Sequence, residues 1–409
     1  ADIVGRKKIF TAGITFFSLA SLLCGTAWSM GALIAFRALQ GIGGAMIFGT
    51  GMAILTSAFP PQERGRVLGI NAASVYAGLS LGPVLGGAMN QHLGWQSIFY
   101  LNLLLGAVVV SATIWKLQGE WAGARGERFD WRGALLYTSG LVSLIYGFSS
   151  LAASATAKFI LMLGLGLVVV FIIYEAREEH PILNTRLFSH NPTFAFSNLA
   201  ALINYSATFA VGFLLSLHLQ VVVGHDSQTA GLILLSQPVI MTLLSPLAGS
   251  LSDRVEPRLV ASWGMAVTAL GLFIFSFLTV HTSTGMIMIN LMLLGVGFAL
   301  FASPNTNAAL GSVEKRFYGV ASSTLGTMRL TGQAFSMALV TMIISFFFGN
   351  VQLSPEYAEL LVRSTRTSFS LFAFLCLVGI FASLARGRVG REAKGSDGLV
   401  EESKAGDHR

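Results

Sequence analysis

Stretches of about twenty apolar residues recur along almost the whole chain, separated by short polar joints, and a water-soluble fold has no use for so many of them. They fall near 9–28, 31–58, 67–90, 95–116, 133–153, 157–175, 193–221, 228–249, 259–280, 285–311, 320–348 and 367–386. Each is long enough to cross the roughly 30 Å hydrocarbon layer as a helix. In lipid a spanning segment must satisfy its own backbone groups, so unbroken apolar runs of this length read as helices. Composition agrees, with 11% of residues charged where a soluble globule carries about a quarter. The expected fold is all-α, a polytopic membrane protein with about twelve transmembrane helices.

The formal charge of +7 does not point to nucleic acid, because the basic residues sit in short clusters between apolar runs. Of the lysines and arginines outside the spans, all but Lys158, Arg363 and Arg366 fall on one side. By the positive-inside rule that side is cytoplasmic, and both ends of the chain lie there. A lipid bilayer is the implied partner and no nucleic acid is expected. Cys24 and Cys376 lie in apolar segments far apart, so no disulfide framework is expected. The opening ADIVGRKKIF does not read as a cleavable leader.

The most distinctive stretch is a glycine ladder, Gly69, Gly78, Gly82-Pro83 and Gly86-Gly87, inside one apolar segment. In water each such glycine weakens a helix by about 1 kcal/mol relative to alanine. In a bilayer, small residues four apart let two helices pack closely, and a proline can kink a span without exposing backbone to lipid. A second feature is an internal repeat. Gly41-Ile42-Gly43 and Gly65 correspond to Gly295-Val296-Gly297 and Gly319 at a constant offset, and the Asp2-Ile3-Val4-Gly5-Arg6-Lys7 segment has a counterpart in Gly249-Ser250-Leu251-Ser252-Asp253-Arg254. Inverted or duplicated halves of this kind are how many secondary transporters are built.

The ladder, with its six fixed positions, resembles the antiporter signature on the fifth span of major facilitator superfamily exporters. The two Asp-containing segments resemble that superfamily's cytoplasmic loop motif, although Glu256 stands where the second copy should have glycine. Leu33, Arg37, Gln40-Gly41 and Gly43-Gly44-Ala45 resemble the fourth-span motif associated with proton transfer. Over essentially its whole length the chain is similar to the fourteen-span drug:proton antiporters. The resemblance implies that two N-terminal spans are missing here. It divides the chain into an N-terminal half (1–116), a two-span insert with cytoplasmic loops (117–191), a C-terminal six-span half (192–386) and a disordered cytoplasmic tail (387–409). It further implies that Asp2, Gly5, Arg6 and Lys7, with Gly249, Asp253 and Arg254, latch the halves on the cytoplasmic side, and that Ser303-Pro304-Asn305 forms a turn.

Two arginines lie within spans, where each costs about 2.5–3.5 kcal/mol on insertion scales and persists only when facing protein or water. Arg37, with Gln40 and Gly41, is the proton-coupling candidate and reads as lying near mid-span. Arg329, with Gln333, is a candidate for the substrate cleft, together with Asn204 and Asn305. Structural hydrogen bonding between helices explains these polar residues equally well. None of the 19 acidic residues falls mid-span; the resemblance puts the titrating aspartate on the absent first span. His218 and His225 read as interfacial residues, and the thirty phenylalanines single out no pocket.

The sequence contains no metal-ligand cluster, phosphate-cradling loop or nucleophile–base arrangement, so no enzyme, cofactor or metal is expected. What is expected is a secondary active transporter of the cytoplasmic (inner) membrane, a monomer driven by the proton gradient. Its partners are protons and a small-molecule substrate, and it exports lipophilic or cationic drug-like compounds by alternating access. An importer or facilitator on the same fold, or a membrane protein that transports nothing, are the alternatives.

Overall fold

The computed structural model describes residues 1–123, 126, 128–151, 155–178, 181–183, 186–349 and 357–386, and all regular structure among them is helical. Helices α1 (Arg6–Gly25), α2 (Met30–Ala58), α3 (Arg64–Leu93) and α4 (Gln96–Lys116) are followed by α5 (Trp131–Ser149) and α6 (Ala155–Glu175). After the single turn α7 (Arg186–Ser189), a broken rod comprises α8 (Pro192–Thr208), α9 (Val211–Leu217) and a π-helical turn (His218–Val222). Helices α10 (Ser227–Leu234) and α11 (Ser236–Arg254) make the next rod, and α12 (Pro257–Phe275), α13 (Thr284–Gly311), α14 (Tyr318–Phe348) and α15 (Ala358–Leu384) complete the chain. Twelve rods thus match the twelve apolar segments. Ten of them are long and apolar enough to cross a membrane; α3 and α5 reach the length but are less apolar.

Local sequence explains where several rods begin. Ser29, Asp130, Asn191 and Ser283 each accept a hydrogen bond from an amide in the first turn of α2, α5, α8 and α13. Pro192 stands at the first position of α8, where its missing amide is not needed. Pro304 lies inside α13, so the Ser303-Pro304-Asn305 segment continues a helix and does not form the expected turn. Large apolar side chains such as Phe346 and Trp263 point outward, the pattern of a surface solvated by lipid.

Helices α1 to α4 pack as one bundle and α8 to α15 as another, with the α5–α6 hairpin laid against α14. The repeat is visible in packing. A side chain at Gly43 of α2 would meet the Gly13 carbonyl oxygen of α1 at 2.9 Å, and one at Gly297 of α13 would meet the Gly264 carbonyl oxygen of α12 at 2.9 Å. Both helix pairs therefore cross backbone to backbone at corresponding glycines. The second bundle has a continuous core around Leu214, Leu272, Leu291, Phe369 and Phe372. His218 sits beside that core fully buried, neither ring nitrogen hydrogen-bonded, and is not interfacial. The expected tail, 387–409, lies outside the described residues.

Candidate functional site

The bundles meet along two seams, α3 against α11 and α2 against α14. At one end of the first seam the backbones touch, because a side chain at Gly65 would strike the Gly249 carbonyl and one at Gly69 would strike that of Ser245. Glu63, at the N-cap position of α3, makes no side-chain cap bond. Asp253 from the other bundle does so instead, accepting from the Gly65 amide at 2.7 Å and the Arg66 amide at 2.8 Å. The second seam repeats the arrangement. Phe317 at the N-cap position of α14 makes no side-chain cap bond, and Asp2 accepts from the Val320 amide at 3.2 Å. A carboxylate against a helix N-terminus is favoured by the free amides and by the helix dipole.

Arg6 ties Asp2 down. Its Nε donates to Asp2 at 2.7 Å, one terminal nitrogen to Ser57 Oγ at 2.6 Å and the other to the Lys315 carbonyl at 2.8 Å, and it is 2% exposed. Gly5 holds a φ of +126°, open to glycine and rarely to other residues. The Lys7 amide donates to Glu120 at 2.9 Å and its ammonium to the Leu117 carbonyl. The second copy differs. Arg254 is exposed and forms no ion pair among the described residues, while Arg258 pairs with Glu256 at 2.8 Å. Pro257 at the first position of α12 places the arginine five residues after the aspartate, not four, so Asp253 caps without a cationic partner.

Between the seams lies a cavity of about 430 Å³ lined from both bundles. Tyr76 of α3 packs edge to face on Phe298 of α13 with ring centroids 5.9 Å apart, and Tyr205 of α8 does the same at 5.4 Å. Arg329 lies over the Phe48 ring at 4.9 Å, and Gln333 follows one turn along α14. Arg329 and Gln333 therefore stand where the cleft was expected. Asn305 lies in a small recess of about 30 Å³ beside the cavity, shared with Phe48, Tyr205 and Arg329, and donates to the Ser197 carbonyl at 3.2 Å; Asn204 is buried away from both, without a side-chain hydrogen bond among the described residues. Thr208 of α8 and Ser303 and Thr306 of α13 supply the short polar side chains that those helices do turn to the cavity. The aromatic lining was not foreseen. Its signal was depth, since Tyr76, Tyr205 and Phe298 lie 12 to 14 residues into their helices.

Arg37 departs from expectation. It lies seven residues into the 29-residue α2, about 10 Å from that end, and not at mid-span. Its guanidinium is exposed, lies 5.0 Å over the Phe99 ring of α4, and donates at 2.9 Å to Gln40, which donates in turn to Ser21 of α1. This chain of contacts runs within the first bundle and does not line the seam cavity. Gly41 meets nothing within 4 Å. Of the ladder, Gly69 is a tight contact with the second bundle, Gly78 and Gly82 face open space, and Gly86 comes only within ordinary van der Waals reach of Ile98. Pro83 and Gly87 lie in α3, and nothing is described of the proline's side chain. The bundles are thus clamped at the Asp2 and Asp253 end, while at Gly78 and Gly82 α3 meets nothing within 4 Å.

The sequence matches the Major Facilitator Superfamily over residues 1–175 and 198–405. It is 29% identical to the riboflavin transporter RibZ of Clostridioides difficile over 94% of this chain and 83% of that protein. It is 30% identical to the multidrug resistance protein Stp of Mycobacterium tuberculosis over 84% of this chain, and spans only 65% of that protein's length. The crystal structure of the human organic anion transporter MFSD10 (TETRAN) shares the fold, with a TM-score of 0.65 at 16% identity, over 93% of this chain and 78% of that one.

Proposed function

Since the chain belongs to the Major Facilitator Superfamily and is a multi-pass membrane protein of that transporter fold, we propose that it is a proton-coupled antiporter that exports lipophilic, drug-like compounds by alternating access. The observation that carries this reading is the cavity at the seam, lined by both bundles at mid-helix depth and closed at one end by reciprocal caps. Rocking the bundles about such a site exposes it to one side at a time. The clamped end carries the basic loops, so it faces the cytoplasm, both ends of the chain lie there, and the cavity opens outward in the cytoplasmic membrane. Relatives named for riboflavin transport and for multidrug resistance support a small organic cargo.

Within this proposal the two bundles are the transporter halves and α5–α6 is an inserted pair. The fourteen-span reading belongs with it, and the 65% share of the Mycobacterium tuberculosis relative's length is in keeping with spans beyond those in this sequence. Position on the seam supports α3 as the antiporter span, and the molecule works as a monomer. Arg37 supports proton coupling through the Gln40–Ser21 chain. The test uses vesicles carrying the full-length protein with an acidic lumen. Uptake of a lipophilic dye with proton efflux is the expected result. Dye uptake that ignores the proton gradient would identify a facilitator.

A further inference from the structure

The seam cavity contains a cation that has no counter-charge among the described residues. Arg329 lies eleven residues into α14, roughly 16 Å from the clamped end at 1.5 Å per residue, close to the middle of the hydrocarbon layer. An arginine at that depth persists where it meets protein partners or water. Its Nε is buried without a hydrogen bond, and no ion pair to it exists among the described residues. Among the described residues no aspartate or glutamate lines the cavity. What it does meet is the face of Phe48 and the Tyr205 side chain.

Cation–π contact is worth about 2 kcal/mol when desolvated, less than the several kcal/mol that a buried ion costs. Stacking on Phe48 and a hydrogen bond with the neutral Tyr205 therefore leave the guanidinium without a counter-charge. Its planar fork presents paired donors that match a carboxylate or sulfonate and no cation. The ladder of Tyr76, Phe298 and Tyr205 offers ring faces and edges beside that fork. A flat aromatic body stacks well on such walls. The volume suits one drug-sized molecule.

We infer that this cavity binds an organic anion with a planar aromatic body, its negative group paired with Arg329 and its ring lodged against Tyr76 and Tyr205. This rests on the reading of the cavity as the cargo site, and it narrows the cargo away from permanent cations. A cation would meet Arg329 across a low-dielectric gap, and a neutral ring would leave the buried Nε as it stands.

The test is equilibrium binding to the full-length protein in lipid nanodiscs, read by fluorescence polarisation, with fluorescein and rhodamine 6G as probes. The two share a xanthene ring and differ in sign of charge. Without a proton gradient the result does not depend on coupling, so a failed antiport assay and a failed binding assay are separate outcomes. Fluorescein is expected to bind at least about tenfold more tightly than rhodamine 6G, and Arg329→Gln to weaken fluorescein about 10- to 100-fold while leaving rhodamine 6G unchanged or tighter. Arg329→Lys keeps the charge without the fork and is expected to fall between. Gln333→Glu keeps the arginine and sets a carboxylate one turn away; it is expected to weaken fluorescein and admit rhodamine 6G even if the arginine variants fail to fold. Preference of the wild type for rhodamine 6G, binding of neither dye, or fluorescein binding indifferent to Arg329→Gln and Gln333→Glu overturns the inference.

Discussion

Removing Asp253 should loosen the clamped end without unfolding either bundle. In Asp253→Ala the Gly65 and Arg66 amides lose a carboxylate held at 2.7 and 2.8 Å. Loss of a helix cap costs about 0.5–2 kcal/mol, and loss of a charge at the positive end of the helix dipole about 0.3–1 kcal/mol. The site is only partly buried, so water re-solvates the amides in part. A net of about 2 kcal/mol against the clamped arrangement is expected, which at 1.4 kcal/mol per factor of ten is about a 30-fold shift toward the open alternative. The measurement is electron–electron distance spectroscopy with spin labels at Gln62 and Val255, both exposed beside the seam. The native Cys24 and Cys376 are buried, and alanine at each leaves the two labels as the sole signal. Asp253→Ala should gain a long-distance population, and Asp253→Asn, which keeps one acceptor oxygen, should gain less. An unchanged distance distribution, or the same change from Asp226→Ala at the N-cap of α10, would refute the reasoning.

Three further outcomes are expected. Gly249→Ala should shift the same distances, because its side chain would strike the Gly65 carbonyl, at about 1–3 kcal/mol for overpacking; Gly78→Ala, which meets nothing within 4 Å, should keep or raise thermal stability yet slow transport, and full transport would remove the ladder from the moving parts. Arg386 is 1% exposed, none of its three guanidinium nitrogens has a partner among the described residues, and burial holds it below its usual range, at about 9. Since that value lies below the unfolded one, the penalty is present at neutral pH and fades as pH rises through about 9. Arg386→Met should therefore raise Tm at pH 7, by about 1–2 kcal/mol of stability, and flatten the wild type's gain between pH 8 and 10.

The spans were legible because lipid imposes one length and one composition on every crossing segment. All twelve rods fall on apolar segments, even the rod broken at Thr208 and Val211. The repeat was legible for a similar reason: Gly43 and Gly297 must both be small where two backbones cross. Partner choice was not. The resemblance puts Asp2 and Asp253 in a latch between the halves, but no local pattern says that the amides of α14 and α3 would receive them. Nor could spacing separate Gly69, pressed against α11, from Gly78 and Gly82, which meet open space. Arg329 stood out because charge is rare at that depth. Tyr76 and Phe298 were lost among many aromatic residues until the folded chain brought them to one wall.

Because Asp2 and Asp253 each serve a helix they do not belong to, neither bundle is chemically finished by itself. A half expressed alone would leave its own long helix with bare amides and its own carboxylate with no helix to cap. The exchange also links the two grips: each hand closes on the other body, so loosening one adds to the load on the other and on the glycine contacts between them.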